Sequence, residues 1–90
     1  MPGSKWYINL TKDAQKSLLK IPENKRYKIN EAIAEMEFGP FVGDVKKLKG
    51  HKNLYRKRVG DYRLIFSIMF DILYIEIVEV VNRKDAYKDL

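Results

Sequence analysis

Apolar positions alternate in short runs near both ends of the chain and recur at helical spacing between them. Trp6-Tyr7-Ile8-Asn9-Leu10 alternates and reads as a first strand. Thr11 follows as a helix N-cap, with Asp13 in the first turn, where its charge suits the helix dipole. A helix is predicted from Lys12 to Lys20, turning Ala14, Leu18 and Ile21 inward. Pro22 stops it and opens a second helix that runs to Phe38, in which Ile29, Ala32, Ile33 and Met36 keep the i, i+3, i+4, i+7 spacing. Gly39-Pro40 ends that helix, and Phe41 to Asp44 reads as a loop.

Val59-Gly60-Asp61-Tyr62 has the form of a hairpin turn, with Gly60 free to take positive φ. A two-residue Gly60-Asp61 loop sets Val59 against Tyr62, Arg58 against Arg63, Lys57 against Leu64, Arg56 against Ile65 and Tyr55 against Phe66. Facing residues share a side of the sheet, as do residues two apart. One side then carries Tyr55, Val59, Tyr62, Leu64, Phe66 and Ile68, and the other carries Arg56, Arg58 and Arg63. A second turn is expected at Phe70-Asp71, followed by a β-branched strand from Ile72 to Val81. That loop puts Leu73, Ile75 and Ile77 on the core side with Glu79. It puts Val78 opposite Arg63 on the arginine side, with Glu76 diagonal to it. Asn82 to Leu90 is a polar exit with room for a short helical turn.

The order β-α-α-β-β-β predicts an α+β fold: a helical hairpin packed on one face of a small antiparallel sheet, as a single domain over residues 1–90. The opposite face stays open, and it is the face with the arginines.

Composition sharpens that picture. Lys and Arg number 18 against 12 Asp and Glu, for a net charge of +6. Eight of the basic residues and a single acid, Asp61, fall between Lys46 and Arg63, so the charge belongs to the hairpin and the rest of the chain is near neutral. Arg58 opposite Arg63 is unfavourable unless an anion lies across the pair. A solvated basic face is the ordinary alternative, yet three guanidinium groups on one face suit bidentate phosphate contacts better than lysines do. A hydrophobic fraction of 46% and six Tyr argue for a folded globule rather than a disordered basic tail. No cysteine is present, which excludes disulfides, thiolate nucleophiles and cysteine-ligated zinc. His51 alone cannot build a metal centre, and it reads as a surface residue. Neither a signal peptide nor a long apolar span is visible. The expectation is a cytoplasmic protein with an anionic partner, no membrane, no metal and no cofactor. Trp6, Tyr7, Tyr55, Tyr62 and Phe66 read as core aromatics, Phe38 and Phe41 as pins for the loop around Gly39-Pro40, and Tyr87, in a polar context, as a candidate for base stacking.

The segments KLKG and LYRKRVGDYRLIF, and a last strand ending in VNRKDAY, resemble the RelE/ParE superfamily of toxin–antitoxin toxins, and its RelE branch in particular. The resemblance runs from Trp6 to Tyr87. It implies a toxin that cuts messenger RNA in the ribosomal A site, by attack of the RNA's own 2′-hydroxyl and without metal, and that is held in check by a cognate RelB-like antitoxin. Arg56 and Arg58 match the family's basic strand residues that contact the RNA backbone, and Arg63 the arginine on the scissile phosphate. Arg83 matches the arginine past the last strand that supports the leaving group or the developing charge, and Tyr87 the C-terminal tyrosine that stacks on a base and helps activate the nucleophile. Lys46, Lys47, Lys49, Lys52 and Lys57 complete the expected RNA-binding set, with Arg63, Arg83, Tyr87 and Arg58 as the catalytic one.

A proton acceptor is harder to name from the sequence. Relatives often carry His-Arg where this chain has Asn82-Arg83. Glu76 has the parity to reach the arginine face and reads as an ion-pair partner of Arg63, whereas Glu79 falls on the core parity. Two other functions suit the same fold: a ParE-like inhibitor of DNA gyrase, and an RNA-binding module without catalysis.

Overall fold

The computed structural model describes residues 5–82. Strand β1 (Tyr7–Leu10) leads into helices α1 (Lys12–Leu19) and α2 (Glu23–Glu35), and α2 tightens into a 3-10 turn at Met36–Phe38. Strands β2 (Asp44–Lys47), β3 (Tyr55–Val59), β4 (Tyr62–Met69) and β5 (Tyr74–Asn82) follow. The five strands form one sheet in the order β1-β5-β4-β3-β2. The α+β fold with a helical hairpin on one face is as the sequence predicts. The sheet is larger than predicted and mixed, because Asp44 to Lys47 is an edge strand and β1 runs parallel to β5. The antiparallel expectation missed β1 because its partner lies at the far end of the chain. The expected C-terminal helical turn lies outside the described residues.

Helix α1 begins where the sequence places its cap. The Thr11 side chain accepts the N–H of Ala14 at 3.1 Å, and Asp13 sits in the first turn. Ala14, Ile21, Ile29, Ala32 and Met36 are buried against Leu64, Phe66, Ile68, Ile75, Ile77 and Val80 of the sheet. Burying a side chain such as Phe66 or Ile77 contributes roughly 1.5–3 kcal/mol. The register that turns these residues inward is therefore strongly favoured over a slip by one residue. Tyr7 departs from its expected core position. It is 76% exposed, because odd positions of β1 pair with Tyr74 and Glu76 on the open side.

The β3–β4 hairpin has the predicted register throughout, from Tyr55↔Phe66 to Val59↔Tyr62. Gly60 takes φ +60° while Asp61 does not go positive, which is the type II′ pattern that matches strand twist. The second hairpin is different. Its turn is a 3-10 segment over Phe70–Ile72 closed by Leu73 in the left-handed region (φ 51°, ψ 52°), so pairing begins at Met69↔Tyr74. Pairing then continues to Phe66↔Ile77, and the next rung is Ile65↔Glu79. Val78 is the extra residue of a β-bulge. Beyond it Leu64 faces Val80 and Arg63 faces Val81, so Val78 is not opposite Arg63 and Glu76 is not diagonal to it.

Candidate functional site

The open face is built rung by rung from the register. Asp44 lies opposite Arg58 and Lys46 opposite Arg56; Arg58 faces Arg63, and Arg56 faces Ile65. On the other side of β4, Ile65 faces Glu79 and Ser67 faces Glu76, with Asn9 of β1 beside Glu76. Cations thus crowd the β2–β3–β4 side, and carboxylates line β5. Ile65, 7% exposed, is an apolar floor between Arg56 and Glu79.

An anion does lie across the arginine pair's strand. Asp44 Oδ1 accepts from Arg56 Nη1 at 3.1 Å, and its Oδ2 is 3.8 Å from Arg58 Nε. Arg56 Nη1 also donates to the Asp44 carbonyl at 3.2 Å, and its side chain is only 11% exposed. The Arg56 hydrogen bond, with the charges of Arg56, Arg58 and Lys46, holds the Asp44 carboxyl below the usual carboxylate range, against desolvation, which raises it. Asp44 read as loop in the sequence; its role follows only once β2 pairs with β3. Arg58 keeps an exposed guanidinium, whereas Arg63 is 5% exposed and forms part of the packed face.

Lys57 is a correction to the expected RNA-binding set. It shares the core side with Tyr55 and Val59 and is 2% exposed. Its ammonium donates to the Ala32 carbonyl at 3.0 Å and to Glu35 Oε1 at 3.3 Å. The C-terminal turn of α2 offers a carbonyl with no helical partner, which suits a cation. A buried ammonium held this way ties helix to sheet and is turned away from the open face. Lys47, opposite Tyr55, also has the helix-side parity but remains exposed at the edge, while Lys46 is exposed on the open side.

Lys49, His51 and Lys52 project from the exposed connection between β2 and β3. Asn53 fixes that connection. Its side chain donates to the Ile68 carbonyl at 2.9 Å and accepts the Ile68 N–H at 3.3 Å, prolonging the β3–β4 ladder through an amide. Sequence reasoning passed over Asn53, and an Asn just before a strand is the signal that was available. Glu76 accepts from Asn9 Nδ2 at 3.5 Å rather than sitting beside Arg63. Glu79, expected on the core side, is exposed on the open one because of the bulge. Arg83 and Tyr87 lie outside the described residues.

Lys46 and Arg58 are exposed on the open side, with the less exposed Arg56 and the buried Arg63 beside them, so cations on adjacent strands form a surface able to hold a polyanionic backbone. Among the described residues no helix is long and apolar enough to cross a membrane.

The model of the ParE toxin of the type II toxin–antitoxin system parDE matches residues 8–87. The putative toxin RelE1 of Methanocaldococcus jannaschii is 30% identical over 88 residues, which are 94% of this chain and 98% of that protein. The toxin RelE of Mycobacterium tuberculosis is 30% identical over 88 residues, covering 92% of this chain and 87% of its own. Among solved structures, an archaeal RelE–RelB complex from Pyrococcus horikoshii superposes with a TM-score of 0.78 at 30% identity, over 88% of this chain and 96% of that one.

Proposed function

Because the chain belongs to the RelE/ParE superfamily of type II toxin–antitoxin toxins, we propose that it is a ribosome-dependent endoribonuclease that cuts messenger RNA in the A site and so arrests translation. The observation that carries this reading is the open sheet face on which Arg58 and Arg63 stand opposite each other. Two guanidinium groups on one rung, with Arg58 held by Asp44 only at 3.8 Å, offer a phosphate contacts from two adjacent strands. An RNA backbone supplies that phosphate.

In this reading Arg63 and Arg58 hold the scissile phosphate, and Arg56 supports them from its pairing with Asp44. Lys46, Lys49 and Lys52 attract the neighbouring phosphates from the exposed edge and connection. The RNA's 2′-hydroxyl attacks phosphorus, the bond to the 5′-oxygen breaks, and the products are a 2′,3′-cyclic phosphate and a 5′-hydroxyl. Charge gained by the phosphorane-like transition state is stabilised by guanidinium groups already in place. Arg83 and Tyr87 complete the site by the family resemblance, as support for the leaving group and as a base-stacking surface. No metal or cofactor enters the scheme. A RelB-like antitoxin is the proposed partner that silences the toxin, on the likeness to the RelE of the P. horikoshii complex. Its toxin-binding segment carries acids complementary to the net +6 of this chain.

The experiment is cleavage of a defined message on programmed ribosomes, with both new ends identified chemically, next to a DNA gyrase supercoiling assay. Ribosome-dependent cuts ending in cyclic phosphate, reduced at least tenfold in Arg58→Ala and Arg63→Lys, support the nuclease. Gyrase inhibition without cleavage assigns the chain to the ParE-like alternative instead. RNA binding without either outcome leaves a non-catalytic module.

A further inference from the structure

We propose that Glu79 is the proton acceptor for the attacking 2′-hydroxyl of an RNA lying on the open face beside Arg63. The inference rests on the RNA-cleaving function proposed above and assigns its proton acceptor among the described residues.

Three observations converge on this carboxylate. The bulge at Val78 reverses the side-chain parity of β5, so Glu79 comes to the face that carries Arg63. Glu79 is exposed; opposite it is Ile65, and Arg63 lies two residues along β4 from Ile65. Diagonal neighbours on adjacent antiparallel strands have Cβ atoms about 7 Å apart, within reach of long side chains, so Glu79 and Arg63 can act on one phosphodiester. Finally, among the described residues β1 pairs with β5 only as far as Leu10↔Ile77, so beyond Ile77 the outer edge of β5 has no strand neighbour and the exposed Glu79 is reachable there. A recess of about 350 Å³ opens on the helix side of that edge, lined by Tyr62, Asn82, Ser17 and Lys20 as well as by Glu79.

The other carboxylates of the face are committed elsewhere. Asp44 is bound to Arg56 and Arg58, which keeps it a weak acceptor. Glu76 is opposite Ser67 and accepts from Asn9. The charged and titratable groups around Glu79 are Arg63 across the sheet, Lys20 and Tyr62 in the recess, and Glu76 on its own strand.

The step balances as an internal transesterification. The Glu79 carboxylate takes the 2′-hydroxyl proton as the 2′-oxygen bonds to phosphorus. The bond from phosphorus to the 5′-oxygen breaks, and that oxygen is protonated from solvent.

The test uses the full-length chain on programmed ribosomes, comparing parent, Glu79→Gln, Glu79→Asp and, as a control, Glu76→Gln. Removing a general base typically costs 10²- to 10⁴-fold, so Glu79→Gln is expected to slow single-turnover cleavage at least about 100-fold. Its affinity for the ribosome and its melting temperature should stay unchanged. The parent's rate should fall at low pH as the required carboxylate is protonated, and Glu79→Gln should lose that acid limb. Glu79→Asp should retain it at a reduced rate. A message with a sulfur leaving group at the 5′-position should not rescue Glu79→Gln, because a better leaving group replaces an acid and not a base. Cleavage by the parent with an unchanged rate and pH profile in Glu79→Gln overturns the role of Glu79 while the nuclease reading stands. Rescue by the sulfur leaving group also overturns it. Absence of any cleavage by the parent overturns the nuclease reading itself, and this inference with it.

Discussion

The Thr11 hydroxyl donates to the carbonyl of Val78 at 2.9 Å while it accepts the N–H of Ala14 at 3.1 Å. One side chain therefore caps α1 and holds the extra residue of the β5 bulge. The Thr11 N–H adds a bond to the Ile77 carbonyl at 3.0 Å. The start of the helical layer is thereby bolted to the point where β5 changes the parity of its side chains.

Thr11→Val should remove both side-chain bonds at nearly constant volume. Loss of an N-cap costs about 1 kcal/mol, and a second unsatisfied carbonyl adds roughly another. For a domain of this size that lowers the melting temperature by about 5–15 °C. Amide exchange at Val78 and Glu79 should quicken beyond the global change, and Thr11→Ser should restore most of the protection. Equal exchange in all three proteins would mean that the bulge does not depend on the cap.

Lys57 separates a structural cation from a binding one. Lys57→Met keeps the buried stem but leaves the Ala32 carbonyl without its partner, while Glu35 stays exposed to water, so the cost should be about 1–2 kcal/mol. Lys57→Ala also empties the space between α2 and β3 and should cost about 2–3 kcal/mol. Neither change should weaken RNA binding by more than about twofold once the protein is folded. A large loss of affinity in folded Lys57→Met would return Lys57 to the binding surface. Urea titration and filter binding measure the two quantities.

If the open face binds RNA as proposed, Asp44 competes with it for Arg56 and Arg58. Asp44→Asn frees both guanidinium groups and raises the charge of the face, so a short single-stranded RNA should bind a few-fold tighter at low salt. The dependence of log K on log salt should steepen by about one phosphate contact. Weaker binding would show that Asp44 positions the arginines for RNA instead of holding them from it.

The same residue gives a pH dependence. The folded Asp44 carboxyl is held below its ordinary value, chiefly by the Arg56 hydrogen bond. Its contribution to stability is thus complete above the unfolded carboxylate range near 4 and is lost as pH falls below it. Denaturation midpoints measured between about pH 6 and pH 2 should drop less in Asp44→Asn than in the parent. Parallel curves would count against the assignment.

Asn53 provides the last case. Asn53→Ala leaves the Ile68 N–H and carbonyl without their amide partner and should cost about 1–2 kcal/mol. Because the Lys49–Lys52 connection loses its anchor, RNA affinity should also fall modestly, whereas Asn53→Asp should keep only the acceptor half. An unchanged melting temperature in Asn53→Ala would deny the bond any weight.

The sequence by itself determined whatever depends on neighbours along the chain. Thr11 as a cap, the inward stripe from Ile29 to Met36, and the β3–β4 register counted outward from Gly60-Asp61 are all local relations. So is the separation of Arg56, Arg58 and Arg63 from the core, which follows from a period of two. Five features were settled only by the tertiary structure. Asp44 becomes a strand residue because β3 offers it a partner. β1 turns parallel because the far strand β5 receives it. Lys57 is buried despite its charge because the end of α2 lies over it, although its parity already pointed inward. The second hairpin misled because Leu73 adopts left-handed backbone without being glycine or asparagine. The Val78 bulge likewise leaves no mark of its own among the β-branched residues around it. The bulge alone moved Glu79 from the core side to the open face, because the hairpin's shift by two residues keeps side-chain parity. A carboxylate's place in a site can thus depend on one unpaired residue that only the packed helix and sheet make stable.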